Sequence, residues 1–246
     1  MFYVATIFLL GTQGTDLKES FGIHAPNSIY FEPYQVVTHF FMHGDFMHLF
    51  FNMFGIVIFG SYLERVWGPK RFFTFYLIAA IGAVIFTGVE NFYKLSEIQT
   101  YLNTEDIRVL DRYIQSGEFD MHKYGEDLTY QQLRDEFTRN FINLQEAGLI
   151  PLESNEIQYW NYSIMNVRWG VGASGALFGL LGGFLILFPN TELMLMFIPI
   201  PVKAKYLIGA YLAYHFMMWS QGTADGIDYG AHVGGAIAGA ITVLYW

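Results

Sequence analysis

Four residues in the 246-residue chain have types and spacings that suggest chemistry. Ser174 lies in "GVGASGALFG", His232 in "GAHVGGAIAG", and His48 and Asn52 in "HGDFMHLFFNMFG". A serine hydroxyl is a weak nucleophile until a neighbouring base takes its proton, and neutral imidazole is the usual base near neutral pH. Ser174 and His232 are candidates for that pair. Acyl transfer also builds an oxyanion, which needs hydrogen-bond donors fixed in advance. His48 and Asn52 stand at i and i+4, on one face of a helix, and can donate together. The backbone N–H of Ser174 is a further donor if the serine opens a helix, where first-turn N–H groups lack intrahelical partners and the dipole is positive. The serine alone says little, because a membrane helix can satisfy a hydroxyl on its own carbonyls.

Composition indicates what must position these groups. The chain is 53% hydrophobic and only 14% charged, against about 25% charged in an ordinary soluble domain. That places it among membrane proteins. It has no cysteine, which excludes a disulfide framework and a cysteine-based zinc site. Apolar runs cover Phe2–Leu10, roughly Val36–Leu63, Phe72–Val89, Val171–Pro189, about Ala204–Trp219, and Tyr229–Trp246. Five of them approach the roughly 20 residues that a 30 Å hydrocarbon core demands. The first is too short; it reads as the remainder of an incomplete first span, with a re-entrant piece as the other possibility. It lacks the basic start of a cleavable signal peptide.

The formal net charge is -9, but its distribution is more informative than its total. Arg65, Lys70 and Arg71 fall in the turn between the second and third runs, and Lys203 and Lys205 beside "IPIPV" between the fourth and fifth. "SQGTADGID", between the last two runs, has two aspartates and no base. By the positive-inside rule the basic turns face the cytoplasm. With a first span counted, six helices result, and the second, fourth and sixth all run from the outer face inward. Their N-terminal ends, which bear His48 and Asn52, Ser174, and His232, therefore share one level near the outer surface.

Residues 90–168 interrupt this pattern. They hold 14 of the 22 acidic and 7 of the 13 basic residues, so they read as an extramembrane acidic insertion. Thr129 and Gln132 have capping-box spacing, followed by an apolar stripe at Tyr130, Leu133, Phe137, Phe141 and Leu144 and a stop at Gly148. A weaker stripe, Ile107, Leu110 and Ile114, ends at Gly117. Two amphipathic helices are expected, packing on each other or on the membrane surface. The organisation is then 1–89 for spans one (partial) to three, 90–168 for the insertion, and 169–246 for spans four to six, together one domain.

Glycines supply the means of approach. Gly175, Gly179 and Gly183 are spaced four apart on the fourth run, and Gly235 and Gly239 on the sixth, so each helix has a strip that lets backbones come close. Phe178, one turn below Ser174, is placed to stack on the His232 ring. No carboxylate occupies an obvious third position, and a Ser-His dyad is expected.

"HGDFMHLFFNMFG", "GVGASGALFG" and "GAHVGGAIAG", in that order on spans two, four and six, resemble the rhomboid family of intramembrane serine proteases. The likeness extends to "YLERVWGPKRFF" and "IPIPVKAKY" and so covers nearly all the chain outside the insertion. It implies an all-α, six-transmembrane-helix bundle with Ser174 as nucleophile, His232 as base, and His48, Asn52 and the Ser174 backbone N–H as the oxyanion hole. His43 matches a further histidine of the second-span motif and is expected to order the turn at Gly44. Gly172, Phe178, Gly235 and Gly239 are expected to support the site. The insertion departs from the minimal six-helix pattern.

The expected activity is that of a serine endopeptidase cleaving transmembrane segments near the outer membrane face, and the alternative is a catalytically silent relative that binds membrane clients. Transmembrane protein substrates and the lipid bilayer are the expected partners, with no nucleic acid, cofactor or metal. A bacterial inner membrane is the expected location, since no organelle-targeting segment is visible. His39, His43 and His48 cluster with Asp45, but HExxH is absent and a metal there would leave Ser174 unexplained. A hydrolase elbow would need glycine two residues after the serine, where the chain has Ala176. His24, His39 and His215 read as structural or interfacial, and His122 as a solvated loop residue.

Overall fold

In the computed structural model, which describes residues 20–102, 104–116, 130–151, 155–167, 169–170, 172–195, 198–223 and 226–246, the longest element is helix α1, Phe46–Thr100. It is broken at Gly68, whose backbone lies at φ 73 and ψ 165. A positive φ there favours glycine, and Pro69 then opens the second limb, where its missing N–H costs nothing. The limbs are 46–67 and 69–100. Among the described residues, α1 is the one helix long and apolar enough to cross a membrane. The first limb turns apolar side chains outward, with Phe46 61% and Val57 65% exposed, while Asn52 is buried. That inversion suits a lipid surface rather than water.

The apolar run from Val36 is not one helix, as the sequence reading had it. Gln35–Thr38 forms one short helical turn and His39–Phe41 a 3-10 turn, and the regular helix starts only at Phe46. The reason is local: the Asp45 carboxylate accepts the His48 N–H at 2.8 Å, an N-cap that starts the helix after Gly44. The first apolar run, 2–10, lies outside the described residues, as do Gly117, His122, Thr129, Arg168 and Asp225.

The chain divides into two units. One contains 36–89 and 170–246. Its centre is helix α5, Ser174–Leu187, in which every residue from Phe178 to Phe184 is buried; a helix apolar on all sides belongs at the middle of a bundle. Strands β1, Glu192–Leu195, and β2, Ile198–Lys203, follow as an antiparallel hairpin in which Glu192 faces Lys203. Pro199 and Pro201 fit a two-stranded pair, in which both strands are edges. Helix α6, Ala204–Ser220, and helix α7, Tyr229–Tyr245, complete the unit. Leu63, Phe75, Leu180 and Val243 form one core cluster and Leu181, Phe184, Ala204 and Ile208 another.

The glycine strips meet face to face. A Cβ on Gly235 would fall on the carbonyl of Gly175, and one on Gly239 on the carbonyl of Gly179. Helices α5 and α7 thus touch backbone to backbone, a packing available only where side chains are missing.

The second unit contains 23–35 and 90–169. It holds helices α2, Thr104–Gln115, α3, Tyr130–Glu146, and α4, Glu156–Val167, around its own core of Leu110, Ile114, Phe137, Phe141, Tyr159 and Trp160 among others. Two of these helices match the amphipathic stripes of the sequence. The third, α4, was not anticipated, because its inward residues are large aromatics interleaved with Asn and Gln, which blurs the 3.6-residue period. Polar contacts join the helices: Arg134 pairs with Glu156 at 3.0 Å and lies over the Trp160 ring, and Tyr162 donates to Asp111 at 2.8 Å.

Burial raises the Asp111 carboxyl above its ordinary value, with the Tyr162 hydrogen bond opposing that shift. A raised folded-state value means that the group favours folding in its protonated form, a contribution present at low pH and lost as pH rises through that value. Asp111→Asn, which keeps an acceptor for Tyr162 without the charge, is expected to raise the melting temperature at pH 7 and leave it unchanged near pH 3. Equal shifts at both pH values would refute the burial argument.

Candidate active site

The residues singled out on sequence grounds converge within the first unit. Ser174 is the first residue of α5, preceded by Ala173 with no side-chain cap, so its N–H is one of the first-turn donors without an intrahelical acceptor. Helix α7 starts three residues before His232 and is capped by Asp228, whose carboxylate accepts the Ala231 N–H at 2.9 Å. Thr87 Oγ1 donates to the same carboxylate oxygen at 3.4 Å. The cap fixes the register of α7 and with it the level of His232.

His232 Nε2 lies 2.9 Å from Ser174 Oγ. The His232 side is buried and the serine half-buried. Phe178 stacks on the imidazole with ring centroids 4.0 Å apart and planes 2° from parallel. That holds the ring plane while leaving its edge nitrogens available.

His48 and Asn52 project from the first limb of α1 toward Gly172. A Cβ on Gly172 would stand 2.9 Å from His48 Nε2 and 3.5 Å from Asn52 Nδ2. Gly172 has φ +105, a conformation that favours glycine, and its N–H donates to the His39 carbonyl at 2.8 Å. The missing side chain leaves a small space faced by both groups. The His48 tautomer follows from its other nitrogen: Gly44 N–H points at Nδ1 at 3.3 Å, so Nδ1 accepts and a neutral ring has its proton on Nε2, facing that space. Asn52 Nδ2 is buried with no hydrogen-bond partner among the described residues. A buried amide donor is costly to leave unpaired, and an incoming anionic oxygen would pair it.

Three features differ from the sequence reading. The bond that orders the turn at Gly44 comes from His48 and not His43, which lies edge-on to His48 with ring centroids 5.2 Å apart. His39, read as structural, holds the Gly172 backbone through its main chain, which a search for side-chain chemistry does not reveal. His215, also read as structural, is buried with its Nδ1 2.9 Å from Nδ1 of His232. A usable signal existed: His215 stands five residues before the end of α6 and His232 three after the start of α7, so antiparallel neighbours joined by a short loop bring them to one level. Among the described residues, no group of three His, Asp or Glu side chains is set to hold a metal ion.

The profile of the Rhomboid domain family matches residues 30–95 and 152–246, more than half of the chain. The chain is 24% identical to the rhomboid protease AarA of Providencia stuartii over 215 residues, 83% of this chain and 53% of that protein. It is 37% identical over 79 residues to the mitochondrial rhomboid protein 1 of Saccharomyces cerevisiae, 30% of this chain and 21% of that protein. The chain thus spans about half the length of AarA and a fifth of the yeast protein. No solved structure gives a significant match.

Proposed function

This chain belongs to the rhomboid family, and from that premise we propose that it is an intramembrane serine endopeptidase that cleaves transmembrane segments through a Ser174–His232 dyad. The observation behind this reading is the 2.9 Å approach of Ser174 Oγ to His232 Nε2 beside a pocket faced by two side-chain donors.

As Ser174 Oγ attacks the scissile carbonyl carbon, its proton passes to His232 Nε2. The carbonyl oxygen becomes an oxyanion in the space beside Gly172, where His48 Nε2–H, Asn52 Nδ2–H and the Ser174 N–H meet it. The C–N bond then breaks, and His232 returns the proton to the departing amine. Water, deprotonated by the same imidazole, hydrolyses the acyl-enzyme. His43, Gly172, Phe178, Gly235 and Gly239 act in support, by packing and by permitting close approach.

The bilayer is part of this reading. At 14 residues, α5 is about 21 Å long, short of the roughly 30 Å hydrocarbon thickness. With its C-terminal end held at the level of the basic turns in this reading, the shortfall recesses the N-terminal serine below the outer headgroups. A substrate helix must unwind there, because a helix withholds its carbonyls from attack. The six-span arrangement, the extramembrane placement of residues 90–168 and an inner-membrane location belong to the same proposal.

The test is reconstitution of the chain in vesicles with a transmembrane reporter, together with labelling by a fluorophosphonate. Cleavage and labelling at Ser174 are expected; a folded chain that does neither would favour a silent client-binding relative. Asn52→Ala is expected to lower kcat about 10²- to 10³-fold, the usual effect of removing one oxyanion donor, with KM nearly unchanged. A loss confined to KM would place Asn52 in substrate binding instead.

A further inference from the structure

We propose that His215 is a positioning residue for His232, taking the place that a carboxylate holds in a catalytic triad; the inference rests on the hydrolytic reading above. The two Nδ1 atoms are 2.9 Å apart, so one ring donates and the other accepts. Only one arrangement leaves His232 able to take the serine proton. His232 must bear hydrogen on Nδ1 and a lone pair on Nε2, and His215 must accept at Nδ1 with its own hydrogen on Nε2.

The surroundings make that acceptor necessary. One face of the His232 ring is covered by Phe178. Beside it lies a cavity of about 240 Å³ lined by Phe178, Leu212, Phe216, Val233, Ala236 and Ile237 together with the two histidines. Among the described residues of this lining, none but His215 offers a side-chain acceptor for a hydrogen on Nδ1. Without His215 the Nδ1–H would be buried and unpaired, which is costly, and the ring would favour the tautomer that donates from Nε2 to Ser174. That form is not a base. When the serine proton arrives at Nε2, the imidazolium's Nδ1–H keeps its bond to His215, which steadies the charge.

Helix packing sets His215 in turn. Phe178 and Tyr211 meet its ring edge-on with centroids 4.4 and 4.6 Å away, and Tyr229 lies tilted at 5.1 Å. A neutral histidine also suits this position better than a carboxylate, because an isolated ionised acid among apolar side chains carries a large desolvation cost. The pair accepts a proton transiently and is uncharged at rest.

The experiment compares wild type, Ser174→Ala, His215→Phe and His215→Asn as full chains in bicelles. It measures melting temperature, fluorophosphonate labelling rate, and kcat and KM on a transmembrane reporter. Phenylalanine keeps the ring packing and removes the acceptor; asparagine places Oδ1 near the position of Nδ1. Losing the carboxylate of a Ser-His-Asp triad costs roughly 10⁴ in kcat. A neutral acceptor contributes less, so His215→Phe is expected to lose on the order of 10- to 100-fold in kcat at similar KM and melting temperature. His215→Asn is expected to recover most of that loss. An asparagine variant no faster than the phenylalanine one, or a phenylalanine variant as fast as wild type, overturns the assignment. Should the phenylalanine variant not fold, ¹⁵N spectra of histidine-labelled wild type decide: hydrogen on Nδ1 of His232 supports the proposal and hydrogen on its Nε2 refutes it. A folded wild type that fails to label at Ser174 would instead bring down the hydrolytic reading itself.

Discussion

Ser174→Ala and His232→Ala are each expected to lower kcat for a transmembrane reporter by roughly 10⁵- to 10⁶-fold, in effect below detection, with the fold retained. The size follows from how the two groups act. Without Oγ there is no nucleophile, and without the imidazole, whose Nε2 stands 2.9 Å away, the hydroxyl stays protonated and unreactive. Residues that act as one unit are strongly non-additive, so the double variant is expected to be no slower than either single one. The serine is half-buried at a helix start, so its loss leaves packing nearly intact. His232 is buried and stacked on Phe178, so its alanine variant is expected to melt lower while the Asp228 cap of α7 stays in place. Measured turnover in either variant would remove the dyad from the mechanism.

The second large effect is structural. Gly235→Ala and Gly239→Ala are expected to destabilise the protein by about 1–3 kcal/mol each or more and to reduce cleavage in parallel. A Cβ at either position meets a backbone carbonyl of α5, that of Gly175 or Gly179. A side chain could rotate away; a helical carbonyl cannot, so the helices must part. Since α5 holds Ser174 and α7 holds His232, parting them lengthens the very hydrogen bond on which the chemistry depends. Leucine at either site is expected to prevent assembly. Gly209→Ala is the control: a Cβ there has nothing within 4 Å, and replacing a helical glycine by alanine gains roughly 0.5–1 kcal/mol. Thermal unfolding in one detergent compares all three. Melting of the Gly235 and Gly239 variants at the wild-type temperature would show that α5 and α7 do not rely on backbone contact.

Local features of this protein were legible in the chain itself. The i, i+4 spacings of His48 with Asn52, of Gly175 with Gly179 and of Gly235 with Gly239 each assign residues to one helical face, because helix geometry depends on nothing beyond the segment. The stripes at Leu110 and Ile114 and at Phe137 and Phe141 located α2 and α3 for the same reason. Helix α4 was hidden, since aromatic and amide side chains mixed around its circumference leave no clean period. The start of α1 was also misplaced. The apolar run read over Val36–Leu63 takes in Gly44 and Asp45, and the helix obeys the cap at Asp45.

Residue types and spacings thus specify the inventory and its direction: apolar helices, close-packing glycine strips, and a hydroxyl, an imidazole and paired donors on elements that could share one level. Which of several histidines does what is settled by packing. His39 holds the serine loop by its main chain, His48 orders the Gly44 turn with one nitrogen and faces the site with the other, and His215 meets His232. A ring nitrogen's role depends on the partner within about 3 Å. Spacing can bring two histidines to one level, but which nitrogen meets which partner is decided by the packed bundle.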